Sequence, residues 1–235
     1  MAREAGVRSG VRGFVRENSL SLFFLAIFLG ALVGQAISGH NLYNQGQSEH
    51  HEATISFWRY LSSSHFAQGV MENWQSEYLQ FALFALATVW LLQKGSPESK
   101  PLDSPGLESD QRQKVGGYAD EGSPAWAQVR GIRTLVYSNS LIIAMALVFF
   151  GSWLAQSFAG RNVFNQDQIA HHQAVVSWWT YVGSSDFWND TFQNWQSEFL
   201  AVGSFAVLTI FLRQRGSPES KPVGADIEDE TGQGG

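Results

Sequence analysis

The chain has 235 residues, 15 Lys and Arg against 21 Asp and Glu, a formal net charge of −6 and 44% hydrophobic residues. The acidic balance argues against a nucleic-acid partner held through phosphates, and the absence of cysteine excludes a disulfide, a thiolate zinc site, an iron–sulfur cluster and a thiol nucleophile. Charges are gathered into blocks, and the long uncharged apolar stretches between them mark a membrane protein.

Residues 1–17 form a basic N-terminal segment carrying Arg3, Arg8, Arg12 and Arg16. From Asn18 to Gly39 no charge occurs, and this exceeds the roughly 20 residues that cross a bilayer core about 30 Å thick. A first span is predicted at about 19–39. Basic residues before an apolar run, with Gly34-Gln35-Ala36 behind it, also suit a secretory signal. The same span recurs inside the chain, so it is read as retained.

The loop 40–73 holds one basic residue, Arg59. Its His50, Thr54, Phe57/Trp58 and Leu61 fall on one helical stripe, which predicts a short interfacial helix with an aromatic face. Ser63-Ser64 offers helix N-caps. Trp74 suits an aromatic belt at headgroup level. Only 16 uncharged residues separate Glu77 from Lys94, so a second span needs the preceding Asn73-Trp74-Gln75-Ser76-Glu77 turn and is placed at about 74–93. It leaves through Gly95-Ser96-Pro97-Glu98-Ser99-Lys100-Pro101. Residues 102–130 are rich in Ser, Gly, Pro, Asp, Glu and Gln without an apolar period and read as a disordered cytoplasmic linker.

The remainder repeats what came before. A shift of 121 residues aligns 18–101 with 139–222 without a gap, and 38 of the 84 pairs are identical, so the chain is a tandem duplication. Repeat two, 131–222, has spans at about 138–160 and 195–213 around a loop at 161–194 whose one basic residue is Arg161. His171, Val175, Trp178/Trp179 and Val182 repeat the stripe, Ser184-Ser185 the caps, and Asp186 favours the next helix start. Residues 223–235 read as a second disordered tail. Gly30 and Gly39 recur as Gly151 and Gly160, consistent with close helix approach.

Orientation follows from the basic residues. Four Arg lie in the first 17 residues, six Lys or Arg in 93–138 and three from Arg213 onward, against one in each other loop. Both termini are therefore expected in the cytoplasm and both His-His loops outside. The predicted fold class is an all-α integral membrane protein with four transmembrane helices in two parallel tandem repeats. Each repeat runs span, interfacial helix, span, with a pseudo-twofold axis along the membrane normal.

The tandem arrangement, the Asn-Trp-Gln-Ser-Glu motif and the Gly-Ser-Pro-Glu-Ser-Lys-Pro exit resemble an uncharacterised bacterial family of four-span proteins, catalogued as a domain of unknown function, over about 18–222. The resemblance implies a bacterial inner-membrane location. It brings no activity, cofactor or catalytic residue.

Candidate chemistry centres on the repeated polar positions. Glu77 and Glu198 lie just inside their spans, where an ionisable group is by default a functional hypothesis. The alternative is a carboxylate that fixes the hairpin through its neighbours Asn73, Gln75 and Ser76, or Asn194, Gln196 and Ser197. The pairs His50-His51 and His171-His172 recur, but adjacent helical positions differ by about 100° and do not chelate one ion. A metal site would need a His from each repeat joined by Glu77 or Glu198, with zinc, copper, iron or manganese as the ions suited. The plainer reading makes the His pairs polar contacts to Glu77, Glu198 or lipid phosphate. Asn44-Gln45 and Asn165-Gln166 fit a turn or amide network. The seven identical residues of the exit motif exceed what stopping a helix requires, which points to docking onto a partner or back onto the cytoplasmic ends.

No nucleophile motif, phosphate loop or His-Glu-x-x-His signature occurs, so no catalytic residue and no cofactor is assigned. Three function classes follow. The first is a structural or binding membrane protein with an outward His/Glu site, in contact with lipid and a homo-oligomer or membrane-protein partner. The second is a small transporter or channel using Glu77 and Glu198. The third is a metal-dependent membrane enzyme. If the repeats share one outward site, Glu77 and Glu198 should approach each other.

Overall fold

A computed structural model of the protein describes residues 10–229. The basic segment before residue 10 and the tail after residue 229 lie outside the described residues. Within them the chain is all-helical. Eight α-helices follow in order: α1 Val11–Glu17, α2 Ser19–Glu49, α3 Phe57–Leu61, α4 Ser64–Trp90, α5 Ile132–Ser138, α6 Ser140–Ala170, α7 Trp178–Val182 and α8 Ser185–Phe211. Every bound of α5–α8 lies 121 residues after its partner in α1–α4, as 140 − 19 and 185 − 64 illustrate. The helical repeat thus starts at residue 11, seven positions before the sequence alignment does. The chain divides into two compact units, up to Phe66 and from Ala67 onward.

In the first unit, Asn18 separates α1 from α2, its amide donating to Phe14 O at 2.8 Å. α2 is long and apolar enough to cross a membrane. It leaves Leu20, Phe23, Phe24, Ile27, Leu29 and Val33 exposed and buries Ala36 alone. The polar residues from Asn41 to Glu49 add about two and a half turns beyond the expected span. The helix ends at His50, and His51 stands at φ 60.

That left-handed residue overturns the predicted stripe. His50 and Leu61 do not share a helix, because residues 52–56 have no regular structure and only Phe57–Leu61 is helical. This strip is tied to α2 by Asn44, whose Oδ1 accepts from Ile55 N–H and whose Nδ2 donates to Ile55 O, both at 2.9 Å. Repeat two does the same with Asn165 and Val176. Ser56 and Ser177 then N-cap the short helices, while Ser63 and Ser184 accept from Phe66 and Phe187 N–H at the starts of α4 and α8. α3 and α7 each deliver a buried tyrosine, Tyr60 or Tyr181. Its hydroxyl lies where a Cβ on Gly39 or Gly160 would be, so these glycines admit an aromatic ring rather than a second helix.

The second unit holds most of α4 and everything after it. α6 is also long and apolar enough to cross a membrane, and it buries more than α2 does. Residues 102–130 carry turns around a 3₁₀ segment at Gly116–Tyr118, with Lys114 paired to Asp120 at 2.6 Å and Thr134 Oγ1 donating to Trp126 O. The two exit motifs fold alike. Gln93 N–H donates to Ser99 Oγ at 2.8 Å and Gln214 N–H to Ser220 Oγ at 2.9 Å. Gly95 and Gly216 stand at φ 78 and 87. Lys100 then donates to Gly106 O at 2.9 Å and Lys221 to Ile227 O at 2.8 Å, six residues downstream in each case. The seven identities encode a closed loop that docks back on its own chain.

Candidate functional site

The His pairs take their positions from the ends of α2 and α6. His50 N–H donates to Gly46 O and Glu52 N–H to Gln47 O. His171 N–H donates to Asp167 O and Gln173 N–H to Gln168 O. With His51 and His172 at φ 60 and 54, each pair closes its helix in the manner that usually takes Gly or Asn. All four rings are exposed. His171 Nδ1 lies 2.9 Å from Asp167 O and 3.4 Å from its carboxylate. Among the described residues there is no group of three or more His, Cys, Asp or Glu placed to hold a metal ion.

The Asn-Trp-Gln-Ser-Glu motifs lie within α4 and α8. Asn73 and Asn194 donate one turn back, to Gly69 O and Asp190 O, and Ser76 and Ser197 to the carbonyls of Asn73 and Asn194. These bonds satisfy the Asn and Ser side chains within their own helices. Gln45 donates to Glu49 within α2, whereas Gln166 and Gln196 are exposed. Glu77 is exposed and Glu198 half-buried, and they lie near enough to act on each other electrostatically.

The most enclosed polar group of the second unit joins Gln75, a supporting residue in the sequence, to residues that the sequence did not single out. Trp195 Nε1–H donates to Gln75 Oε1 at 2.8 Å. The Trp153 ring stacks against Phe149 and Phe187 with centroids 5.7 and 5.9 Å away, meets Trp188 edge-on at 5.8 Å and lies 6.3 Å from Trp195. Its N–H points to Thr191 Oγ1 at 3.5 Å. Beside this aromatic group, Gln68 donates to Glu72 at 2.7 Å. Gln156, Asp190 and Asp186 all lie close enough to act on the Glu72 carboxylate. Burial, and after it the charges of Asp190 and Asp186, raise Glu72 above the usual carboxylate range against the opposing Gln68 bond. Burial and then Asp186 raise Asp190 likewise. The Tyr181 hydroxyl is pushed up by burial first, then by Asp186, Asp190 and Glu72.

Two atoms in this cluster have no partner, Gln75 Nε2 and Gln156 Oε1. Gln75 is 0% and Gln156 1% exposed. Leaving such a buried group unsatisfied costs about 1–3 kcal/mol. None of the four ion pairs among the described residues reaches Glu72, Asp186 or Asp190. The chemistry is acceptor-rich, with Glu72, Asp186 and Asp190 acting on one another and the indoles of Trp153, Trp188 and Trp195 on helices α6 and α8. One signal for it was legible: Gln156 aligns with Gln35, one of few identities within the first spans. Glu72, Asp190 and Thr191 differ from their repeat partners Gln193, Gly69 and Val70, so the duplication hid them.

A family model described as a domain of unknown function, DUF6766, matches residues 11–233, nearly the whole chain. The chain belongs to the DUF6766 family. Its first matched residue coincides with the start of α1, where the helical repeat begins. The match runs through all eight helices and the segment 102–130 between α4 and α5. Comparison with curated proteins and with solved structures returned no match.

Proposed function

We propose that this DUF6766 chain is a four-span protein of the bacterial inner membrane, with both termini cytoplasmic, that binds a ligand at the outward ends of α4, α6 and α8. α2 and α6 supply two spans by length and apolarity. α4 and α8 supply the others: each has 27 residues, about 40 Å of helix against a core of about 30 Å. The basic residues favour inserting the two repeats in the same sense. Lipid covers the exposed apolar flanks, and a second copy or another membrane protein is compatible with them.

The observation that carries binding, over a purely structural role, is the pair of buried amide atoms without partners, Gln75 Nε2 and Gln156 Oε1, with Gln156 close enough to act on Glu72, a carboxylate that none of the ion pairs among the described residues reaches. The His pairs recede from the site because ending helices accounts for them.

The chain has no cysteine, so topology can be read from single cysteines introduced at Glu52, Gln173 and Asp110. A membrane-impermeant maleimide added outside should label the first two and spare the third. Labelling of Glu52 and Gln173 from opposite sides sinks the four-span reading. Native mass spectrometry of the mildly solubilised protein should find a small molecule or lipid bound, and binding fails if nothing is retained.

Transport is the second reading, favoured by the proximity of Glu77 and Glu198. It requires proton or cation flux into proteoliposomes that is lost in Glu77→Gln and in Glu198→Gln.

A further inference from the structure

We propose that Glu72, Gln156 and Asp190, with the indoles of Trp153, Trp188 and Trp195, form a binding site for a primary ammonium group, and that an amino alcohol carries it. This rests on the binding reading above and names its ligand. The first observation is Gln156. Its side chain is 1% exposed, its Oε1 lacks a donor, and it lies close enough to Glu72 to act on that carboxylate. The second is charge. Glu72, Asp186 and Asp190 act on one another, and no ion pair among the described residues answers them.

The rival occupants fit less well. An anion meets the carboxylates of Glu72, Asp186 and Asp190, which repel it, and finds one unused donor, Gln75 Nε2. A metal ion needs converging ligands, and no three His, Cys, Asp or Glu of the described residues are so placed. A quaternary ammonium suits the indole faces but has no N–H for Gln156 Oε1. Water satisfies the amides and leaves the charge unanswered. A primary ammonium brings three donors and one positive charge, and charge-assisted bonds to carboxylates are among the stronger ones. Gln75 Nε2 adds an unused donor, on the residue one turn along α4 from Glu72. An oxygen beside the ammonium, as in an amino alcohol, gives it an acceptor. That chemistry has two sources, an ethanolamine lipid headgroup or a free amino alcohol.

The test uses the full chain in nanodiscs of phosphatidylglycerol alone, titrated with ethanolamine, ethylammonium, tetramethylammonium and ethylene glycol. Tryptophan emission and melting temperature are the readouts. Both primary amines should give a saturable response, ethanolamine the tighter. Tetramethylammonium should bind about tenfold more weakly or worse, and ethylene glycol not at all. Glu72→Gln and, separately, Gln156→Leu should each weaken ethanolamine about tenfold or more, whereas His171→Ala, outside the cluster, should not. Should either variant fail to fold, Asp190→Asn serves in its place with the same expectation.

Discs containing phosphatidylethanolamine then separate the sources. Loss of the ethanolamine response there places the lipid headgroup in the site, and a persisting response assigns it to the free amine. The proposal is overturned if neither amine gives a saturable response in phosphatidylglycerol discs, as an internal water bridging the amides would dictate. It is equally overturned if the response survives in folded Glu72→Gln and Gln156→Leu. A retained molecule that is not an amine would sink this assignment and leave the binding reading standing.

Discussion

Trp195 donates its indole N–H to Oε1 of Gln75 at 2.8 Å, joining the Asn-Trp-Gln-Ser-Glu motif of repeat two to that of repeat one across 120 positions of sequence. Gln75 is fully buried, so this bond replaces water that cannot reach the amide. Each copy of the motif is also stitched into its own helix by its Asn and Ser.

Removing the donor should therefore cost more than losing a surface contact. Trp195→Phe leaves Gln75 Oε1 buried and unpaired and should destabilise the protein by about 1–3 kcal/mol. Adding Gln75→Leu should cost less than the sum of the two single changes. Reversible denaturation in mixed micelles reads both effects.

Gly39 and Gly160 are under steric demand from Tyr60 and Tyr181. Gly39→Ala and Gly160→Ala should each cost about 1–3 kcal/mol. Tyr60→Phe and Tyr181→Phe in the matching alanine background should recover part of that loss, because the displaced atom is the hydroxyl. Thermal unfolding of the single and double variants measures the recovery.

His51 and His172 occupy left-handed backbone, which costs a residue with a Cβ about 1–2 kcal/mol. His51→Gly and His172→Gly should hold or raise the melting temperature. A fall would mean that the rings have partners which helix termination does not explain.

Glu72 is raised by burial first and by Asp190 and Asp186 next, so the folded state holds its proton to higher pH than the unfolded chain. Stability should thus decline as pH rises through the ordinary value of 4.5 and level off above the folded value. Glu98, raised by burial and then by Glu219, works in the same direction. Glu72→Gln should flatten the decline and raise the melting temperature at pH 7 more than at pH 4. An equal change at both pH values would show that the charge of Glu72 is not the cause.

Lys221 is 2% exposed with its ammonium on Ile227 O. Lys221→Met should free the segment around 225–229, seen as faster amide exchange there with little change in α8. Lys94→Met, at an exposed ion pair with Glu228, should do much less.

The duplication, the all-helical class, the apolar character of α2 and α6 and the serine caps were all legible in the chain, because they depend on periodicity, length and neighbours within a few residues. The roles of the most repeated polar residues were not. For His50-His51 and His171-His172 the sequence left metal ligation beside polar contacts, and only backbone dihedrals show that each pair ends its helix. Asn44 and Asn165 read as a vague amide network until each met a strip 11 residues away. The cluster of Glu72, Gln75, Gln156 and Asp190 stayed hidden for a different reason. Burial of an amide, the lack of a counter-ion beside a carboxylate and the partner of an indole N–H are properties of three helices brought together. α4, α6 and α8 supply those residues from positions more than 80 apart in sequence between Glu72 and Gln156, and no local pattern in any one helix carries that information.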